Sequence, residues 1–257
     1  MQNAKPRIAV VTAIAGGKND LIDPASIFPD VDYFAFTNAE FPNVKVWQIR
    51  SLPEWSSDST YAPRRNAKLP KILPELVLPG YDYYIWHDPT NELVLNPFVV
   101  ISHLLELKSD FDIAVFKHRT RSCVYDESKI IKLVALDLAD NVNRLTEKFK
   151  KERFPEQQGL YELGVIVRKN SPKMLNFDLA WWELVCRYSS RDQISFPFVL
   201  WRNRSVNILE LPGNVVDNDF LPMLHKPNVA HFKVPLRIRV FWQVKWKLAG
   251  MLRRVGL

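Results

Sequence analysis

The segment Tyr81-Asp82-Tyr83-Tyr84-Ile85-Trp86-His87-Asp88-Pro89-Thr90 sets an apolar run against a single carboxylate. Proline lacks an N–H and fixes φ, so Pro89 stops any regular ladder and places Asp88 at the carboxyl end of a strand. That is where open α/β sheets take up ligands. Asp-Pro also initiates turns, so a plain turn carboxylate is the competing reading. Three other groups could act with Asp88. Arg64-Arg65-Asn66-Ala67-Lys68 concentrates positive charge, with Arg64 and Lys68 four apart on one helical face. Such a face suits a diphosphate, or is simply solvated. Arg191-Asp192-Gln193 precedes the apolar stretch Ile194 to Leu200. Asp192 and Gln193 could hydrogen-bond sugar hydroxyls or set an oxygen beside an electrophilic carbon, and could equally cap a helix. His231, in Val229-Ala230-His231-Phe232, is either a core histidine or a metal ligand. Neither a Walker pattern nor G-x-G-x-x-G occurs, so a diphosphate would have to be met by a cation and basic side chains.

The elements that must carry these residues alternate between strand and helix. Arg7 to Ile14 is a β-branched run closed by Gly16-Gly17, with Thr12 and Ala13 near its end. Asp32 to Asn38 is a second short strand closed by Thr37-Asn38, and Val44 to Arg50 alternates with period two. Arg64 to Leu76 reads as a helix interrupted by Pro70 and Pro74, and Pro97 to Leu107 as a helix with proline in its first turn. Asp112 to Phe116 and Leu160 to Val167 are strands. Ile130, Val134, Leu138, Val142, Leu145 and Phe149 form the stripe of one amphipathic helix. Ser171-Pro172 opens another, with Leu175, Leu179, Trp182 and Cys186 on one face. The order predicts one α/β domain over residues 1–234, with a mixed, mainly parallel sheet. Polar strand ends along one edge of such a sheet describe a nucleotide-binding crevice.

Composition narrows the classes further. The 257 residues are 47% hydrophobic, with eight Trp and 15 Phe to build a core. Cys123 and Cys186 have neither metal-like spacing nor the number for a disulfide framework, which suits a reducing compartment. No apolar run reaches 18 residues. The formal charge of +7 is concentrated: after Asp219 there is no acidic residue but eight Lys or Arg, leaving the preceding chain at −1. A nucleic-acid-binding fold would spread positive charge over its folded face, so this class is excluded. The segment 235–257 interleaves its basic residues with Trp242, Trp246, Leu248, Met251 and Leu252. It reads as an amphipathic tail for an anionic membrane surface, against the alternative of a terminal helix packed on the domain.

Taken in order, these stretches resemble a GT-A glycosyltransferase. They are most similar to the glycosyltransferase-like family of plant mucilage and pectin enzymes, the rhamnogalacturonan galacturonosyltransferase group, which has bacterial members. The resemblance runs from about Arg7 to His231. It is carried by Arg7 to Ile14, Asp32 to Thr37, Arg65-Asn66-Ala67-Lys68-Leu69-Pro70-Lys71, Tyr84-Ile85-Trp86-His87-Asp88, Ile113 to His118, Gly159-Leu160-Tyr161-Glu162-Leu163-Gly164-Val165 and Arg191 to Phe196. A more distant similarity is to family 8 glycosyltransferases. It implies that Asp88 is the first aspartate of a metal motif, that His231 is a late metal ligand, and that Asp192 and Gln193 contact the sugar. Glu162 is an added candidate beside them. It further implies that Thr12, Ala13, Thr37 and Asn38 hold base and ribose, and that Arg64, Arg65 and Lys68 neutralise the diphosphate. The implied reaction is retaining transfer of a hexosyl or uronosyl group from a UDP-sugar, assisted by Mn2+ or Mg2+, to a glycan or lipid-linked acceptor. The expected location is the cytoplasmic face of a membrane. Thr90 departs from the pattern, since it stands where the second aspartate would be. A degenerate domain that binds the donor without transfer is the alternative.

Overall fold

The computed structural model describes residues 5–16, 20–57 and 61–215, and the backbone alone of Glu92 and of 223–225. Gly17, His231 and the tail 235–257 lie outside the described residues. In chain order the elements are β1 (Ile8–Ile14), β2 (Val31–Thr37), β3 (Gln48–Arg50), α1 (Ala62–Asn66), α2 (Leu69–Ile72), α3 (Pro74–Val77), β4 (Tyr83–His87) and β5 (Asn91–Leu93). There follow α4 (Pro97–Leu107), β6 (Ile113–Lys117), α5 (Val124–Leu133), α6 (Ala139–Lys151), β7 (Tyr161–Lys169), α7 (Pro172–Arg187), α8 (Asp192–Arg202), β8 (Ile208–Leu211) and β9 (Met223–His225).

Seven strands form one sheet in the order β3-β2-β1-β4-β7-β6-β8. Every pair is parallel except those made by β7, which runs against both β4 and β6. This is the mixed, mainly parallel sheet the sequence predicts. From β1 the chain adds β2 and β3 on one side and β4 on the other, so the strand order reverses between β1 and β4. The carboxyl edge at such a reversal is where α/β sheets hold ligands. The sheet is buried on both faces, as mainly parallel sheets require. Val11, Trp86, Val115 and Ile166 face a core shared with α2, α5, α6, α7 and α8, and Val10, Ile85, Ala114 and Val167 face one shared with α4.

Prolines divide the segment after β3. Pro63, Pro70 and Pro74 each sit in a first turn, so the expected interrupted helix is the three short helices α1, α2 and α3. Asn96 and Ser171 cap α4 and α7, their side chains accepting from the Phe98 and Met174 amides at 3.0 and 3.2 Å.

Three expectations are corrected. The single helix running through Ile130 to Phe149 is α5 and α6, parted at Ala135 with φ of +52°. The stripe breaks there: Leu138 is exposed, α5 buries Val124, Glu127, Ser128 and Ile131 instead, and only Val142, Leu145 and Phe149 on α6 keep the expected face. On α7 the buried face is Met174, Phe177, Asp178, Trp181, Leu184 and Val185, while Leu179 is exposed. A charged residue inside that face, Asp178, hid it from a purely apolar count. The strand expected over Val44 to Arg50 is only Gln48–Arg50, because Asp23 takes the amides of Lys45 and Val46.

Candidate active site

A continuous trough crosses the carboxyl ends of β2, β1 and β4. Its first lobe, about 500 Å³, is lined by Ile14, Ala15, Gly16, Thr37, Asn38 and Asn66 among others. The second, about 540 Å³, shares Ala15, Gly16 and Pro63 with the first and adds Ala13, Arg64, Lys68, Asp88 and Arg191. The third, about 430 Å³, shares Lys68, Asp88, Thr90 and Arg191 with the second and ends on Glu162, Asp192 and Gln193. Gly16 makes the first narrowing possible: its φ is +73°, and a Cβ there would lie 3.3 Å from Pro63 Cβ.

The trough's floor is an ion cluster. Asp192, in the first turn of α8, forms ion pairs with Lys68 Nζ at 2.9 Å through one oxygen and with Lys71 Nζ at 2.7 Å through the other. Lys71 also lies 3.7 Å from Asp88 Oδ1, which accepts the Trp86 indole N–H at 2.9 Å. Burial alone would raise the Asp192 carboxyl, but the two lysines overcome it and hold Asp192 far below the usual carboxylate range. Burial would also lower Lys71, and Asp192 and Asp88 more than offset it, so its pKa is raised. Lys68 is not fully compensated: burial takes it down to about 8 despite Asp192. Arg64 is likewise lowered, by burial first and then by Arg191. Two cations pressed together in one cleft are relieved by an anion.

The surrounding chain fixes this cluster. Asp137 accepts Ser189 Oγ at 2.7 Å and the Ser190 amide at 2.6 Å, pinning the turn that delivers Arg191 and Asp192. Arg168 on β7 donates to the carbonyls of Lys71 and Ile72 at 2.9 and 2.8 Å and pairs with Asp178 at 2.6 Å, which fixes the end of α2. Asp88 sits in a genuine turn, with the Asn91 amide donating to its carbonyl at 2.9 Å. The turn reading and the trough reading of Asp88 therefore both hold.

Most of the residues singled out in the sequence lie along the trough, though not all with free side chains. Ala13 and Arg64 line the middle lobe, and Arg64 donates to the Leu136 carbonyl. Thr37 accepts from the Ala39 amide at 3.1 Å, and Asn38 is tied to the Leu52 backbone and to Glu54. Gln193 donates to the Tyr161 carbonyl at 2.7 Å. Glu162 accepts Arg119 Nε at 2.5 Å and the Val215 amide at 3.0 Å. Burial raises its carboxyl, but these partners outweigh burial and keep it ionised.

Two residues are not brought to the trough. Thr12 faces the opposite side of β1, fully buried beside a small cavity lined by Tyr33, Trp47 and His87, because successive strand side chains alternate. Arg65 points beneath α7, where its guanidinium meets the carbonyls of Val185, Cys186 and Tyr188 at 2.7–3.2 Å. Adjacent to Arg64 on a helix, it has to face another way. Lys71, Asn91 and the loop His118 to Arg121 were not singled out, and Arg191 was given no role of its own, yet they line the third lobe. Lys71 had a signal: it lies three residues from Lys68, on the same helical face.

Among the described residues no group of three or more His, Cys, Asp or Glu could hold a metal ion. Asp88 is offered to the trough, but Asp192 is already ion-paired with two lysines and Thr90 supplies no carboxylate. The described residues thus do not fit a divalent ion, and the second ligand expected, His231, lies outside them.

A sheet with this order and one antiparallel strand, opening on such a trough, defines a GT-A glycosyltransferase-like domain. The chain belongs to the TOD1/MUCI70 glycosyltransferase-like domain family, whose model matches residues 35–212. It is 30% identical over 144 residues to an Arabidopsis thaliana protein described as "Probable hexosyltransferase MUCI70", a match covering 53% of this chain and 25% of that protein. The match thus spans about a quarter of the length of that relative. Among solved structures, mouse xyloside xylosyltransferase 1 in its apo form is similar at TM-score 0.45 and 10% identity, over 80% of this chain and 84% of that one. Core-mannan synthase A from Aspergillus fumigatus, in a Mn/GDP form, is similar at TM-score 0.42 and 9% identity, over 78% and 71%. Both are loose likenesses.

Proposed function

We propose that this domain transfers a hexosyl or uronosyl group from a nucleoside-diphosphate sugar, UDP-linked by the family resemblance, to a hydroxyl of a glycan or lipid-linked acceptor. The observation that carries this reading is the trough: three connected lobes along the carboxyl edge, with basic side chains in the middle. The first lobe, over Thr37, Asn38 and Asn66, suits base and ribose. The middle lobe and its junction with the third, with Arg64, Lys68, Arg191 and Lys71, suit the diphosphate, whose departing charge these cations would stabilise. The third lobe, at Asp192, Gln193 and Glu162, suits the sugar and the incoming hydroxyl. The family resemblance favours retention at the anomeric carbon. A thermal-shift screen of nucleotide sugars, followed by assay of nucleoside diphosphate release, tests the assignment, because a ligand stabilises the state it binds. Stabilisation by UDP-sugars with release of UDP supports it; no shift with any nucleotide sugar would sink it.

A second reading, donor binding without transfer, is supported by the carboxylates of the third lobe. Asp192 and Glu162 are both held ionised by fixed partners, and Thr90 replaces an acid. Binding of the donor with no release of nucleotide to water or acceptor would favour it.

We also propose that the basic segment 235–257 holds the domain on the anionic cytoplasmic face of a membrane, near lipid-linked acceptors. Its charge pattern supports this, with no acidic residue after Asp219. Truncation after Pro235 should release the protein from anionic vesicles and leave nucleotide binding intact.

A further inference from the structure

Resting on the glycosyltransferase reading, we infer that the ammonium groups of Lys68 and Lys71, and not a divalent ion at Asp88, are the cations that meet the donor's diphosphate. Charge balance is the first reason. Arg119 and Arg121 are spent on Glu162 and Glu127. Among the described residues, what remains along the middle and third lobes is Arg64, Lys68, Lys71 and Arg191 against Asp88 and Asp192. That is an excess of two positive charges, the amount a diphosphate diester neutralises with one negative charge on each phosphate. A divalent ion would leave the loaded trough with two unmatched positive charges.

Geometry is the second reason. Lys71 is 2% exposed and stands 2.7 Å from Asp192 and 3.7 Å from Asp88, so a buried cation already bridges the two acids. Arg168 fixes the backbone beneath it by donating to the carbonyls of Lys71 and Ile72. A divalent ion on Asp88 would sit against this ammonium, and like charges at such range oppose each other strongly in a partly dry site. One oxygen of Asp88 is also occupied by the Trp86 indole. Hard divalent ions favour several oxygen ligands, and Thr90 stands where a second carboxylate would supply them.

The two mechanisms give opposite signs for one variant. If Asp88 holds a metal, Asp88→Asn weakens nucleotide binding. If Asp88 merely faces the anion beside a lysine, removing its charge strengthens it. The experiment is calorimetric titration of the full chain with UDP, and with GDP as a second probe, in EDTA and in Mn2+. Expected are equal affinities in EDTA and Mn2+, tighter binding by Asp88→Asn, and a loss of about 10- to 100-fold in Lys71→Met, the worth of a charged hydrogen bond. Lys71→Arg, which keeps the charge, should recover part of that loss, and melting curves check that each variant is folded. Binding that vanishes in EDTA and returns with Mn2+, or Asp88→Asn weaker than wild type, overturns the inference while leaving the glycosyltransferase reading standing. No nucleotide binding under either condition overturns both.

Discussion

Two sets of buried cations lie around α1 and α2 and do opposite things. Arg65 and Arg168 are buried, with guanidiniums that donate to backbone carbonyls and, for Arg168, pair with Asp178. Lys68 and Lys71 are also buried, but they converge on Asp192 at the wall of an open trough. Planar guanidiniums suit the first task, because a rigid fork can satisfy several fixed acceptors at once. Ammoniums suit the second, since a compact charge can turn from a carboxylate to an incoming phosphate. The lesson is that a buried cation is read from the direction of its donors, not from its burial.

Breaking the closed cluster should cost the most. Arg168→Met leaves Asp178 buried without its partner and orphans two carbonyls, so unfolding free energy should drop by about 3–5 kcal/mol in chemical denaturation. A loss below about 1 kcal/mol would show that the closed cluster is not structural in this sense. Next is Lys68→Met, where Asp192 keeps Lys71 as partner. UDP affinity should fall by about 2 kcal/mol, with a much smaller change in melting temperature. Arg65→Lys should invert that pattern, costing about 1–2 kcal/mol of stability through lost carbonyl bonds while UDP affinity holds. A drop in affinity larger than the drop in stability would return Arg65 to the donor site.

The open cluster also has a pH signature. With its folded pKa lowered to about 8, Lys68 is charged below that pH and loses its proton above it. A bound diphosphate would raise that pKa, so binding takes up a proton. UDP affinity should fall above about pH 8, approaching tenfold per unit. Lys68→Arg should flatten the curve, which titration in buffers of different ionisation heat can follow. The smallest effect is expected for Gly164→Ala. Its Cβ would come within 3.3 Å of Asn91 Nδ2 and 3.5 Å of Asp88 Oδ2, crowding only the third lobe. A several-fold loss of transfer with unchanged UDP binding would match that position.

Much of the sheet was legible because its signals are local. β-branched runs ending in polar residues, a capping Ser171 and prolines in first turns each fix one element without knowledge of its neighbours. The trough was legible where a strand end dictated it, as at Asp88 and Thr37. It was misread where side-chain direction mattered. Thr12 ends the right strand but points through the wrong face, and Arg65 adjoins Arg64 yet turns beneath α7. Lys71 was passed over because Pro70 suggested a broken helix rather than a new first turn carrying it inward. The buried face of α7 was mistaken because Asp178, paired with Arg168 on the strand face beneath the helix, counts as polar in the sequence and as core in the fold. Such compensation between distant positions leaves no local trace.

The reversed direction of β7 divides the molecule's labour along the chain. Because β7 starts at the ligand edge, Tyr161 to Gly164 reach the third lobe from the loop after α6. The first lobe, by contrast, is lined wholly from residues 14–66. On the proposed assignment of the lobes, donor recognition is written mostly in the first third of the chain, and the surroundings of the incoming hydroxyl mostly after residue 117. Relatives could exchange the second portion, or lengthen the loops at 118–122 and 152–160, and acquire a new acceptor while inheriting the old donor intact.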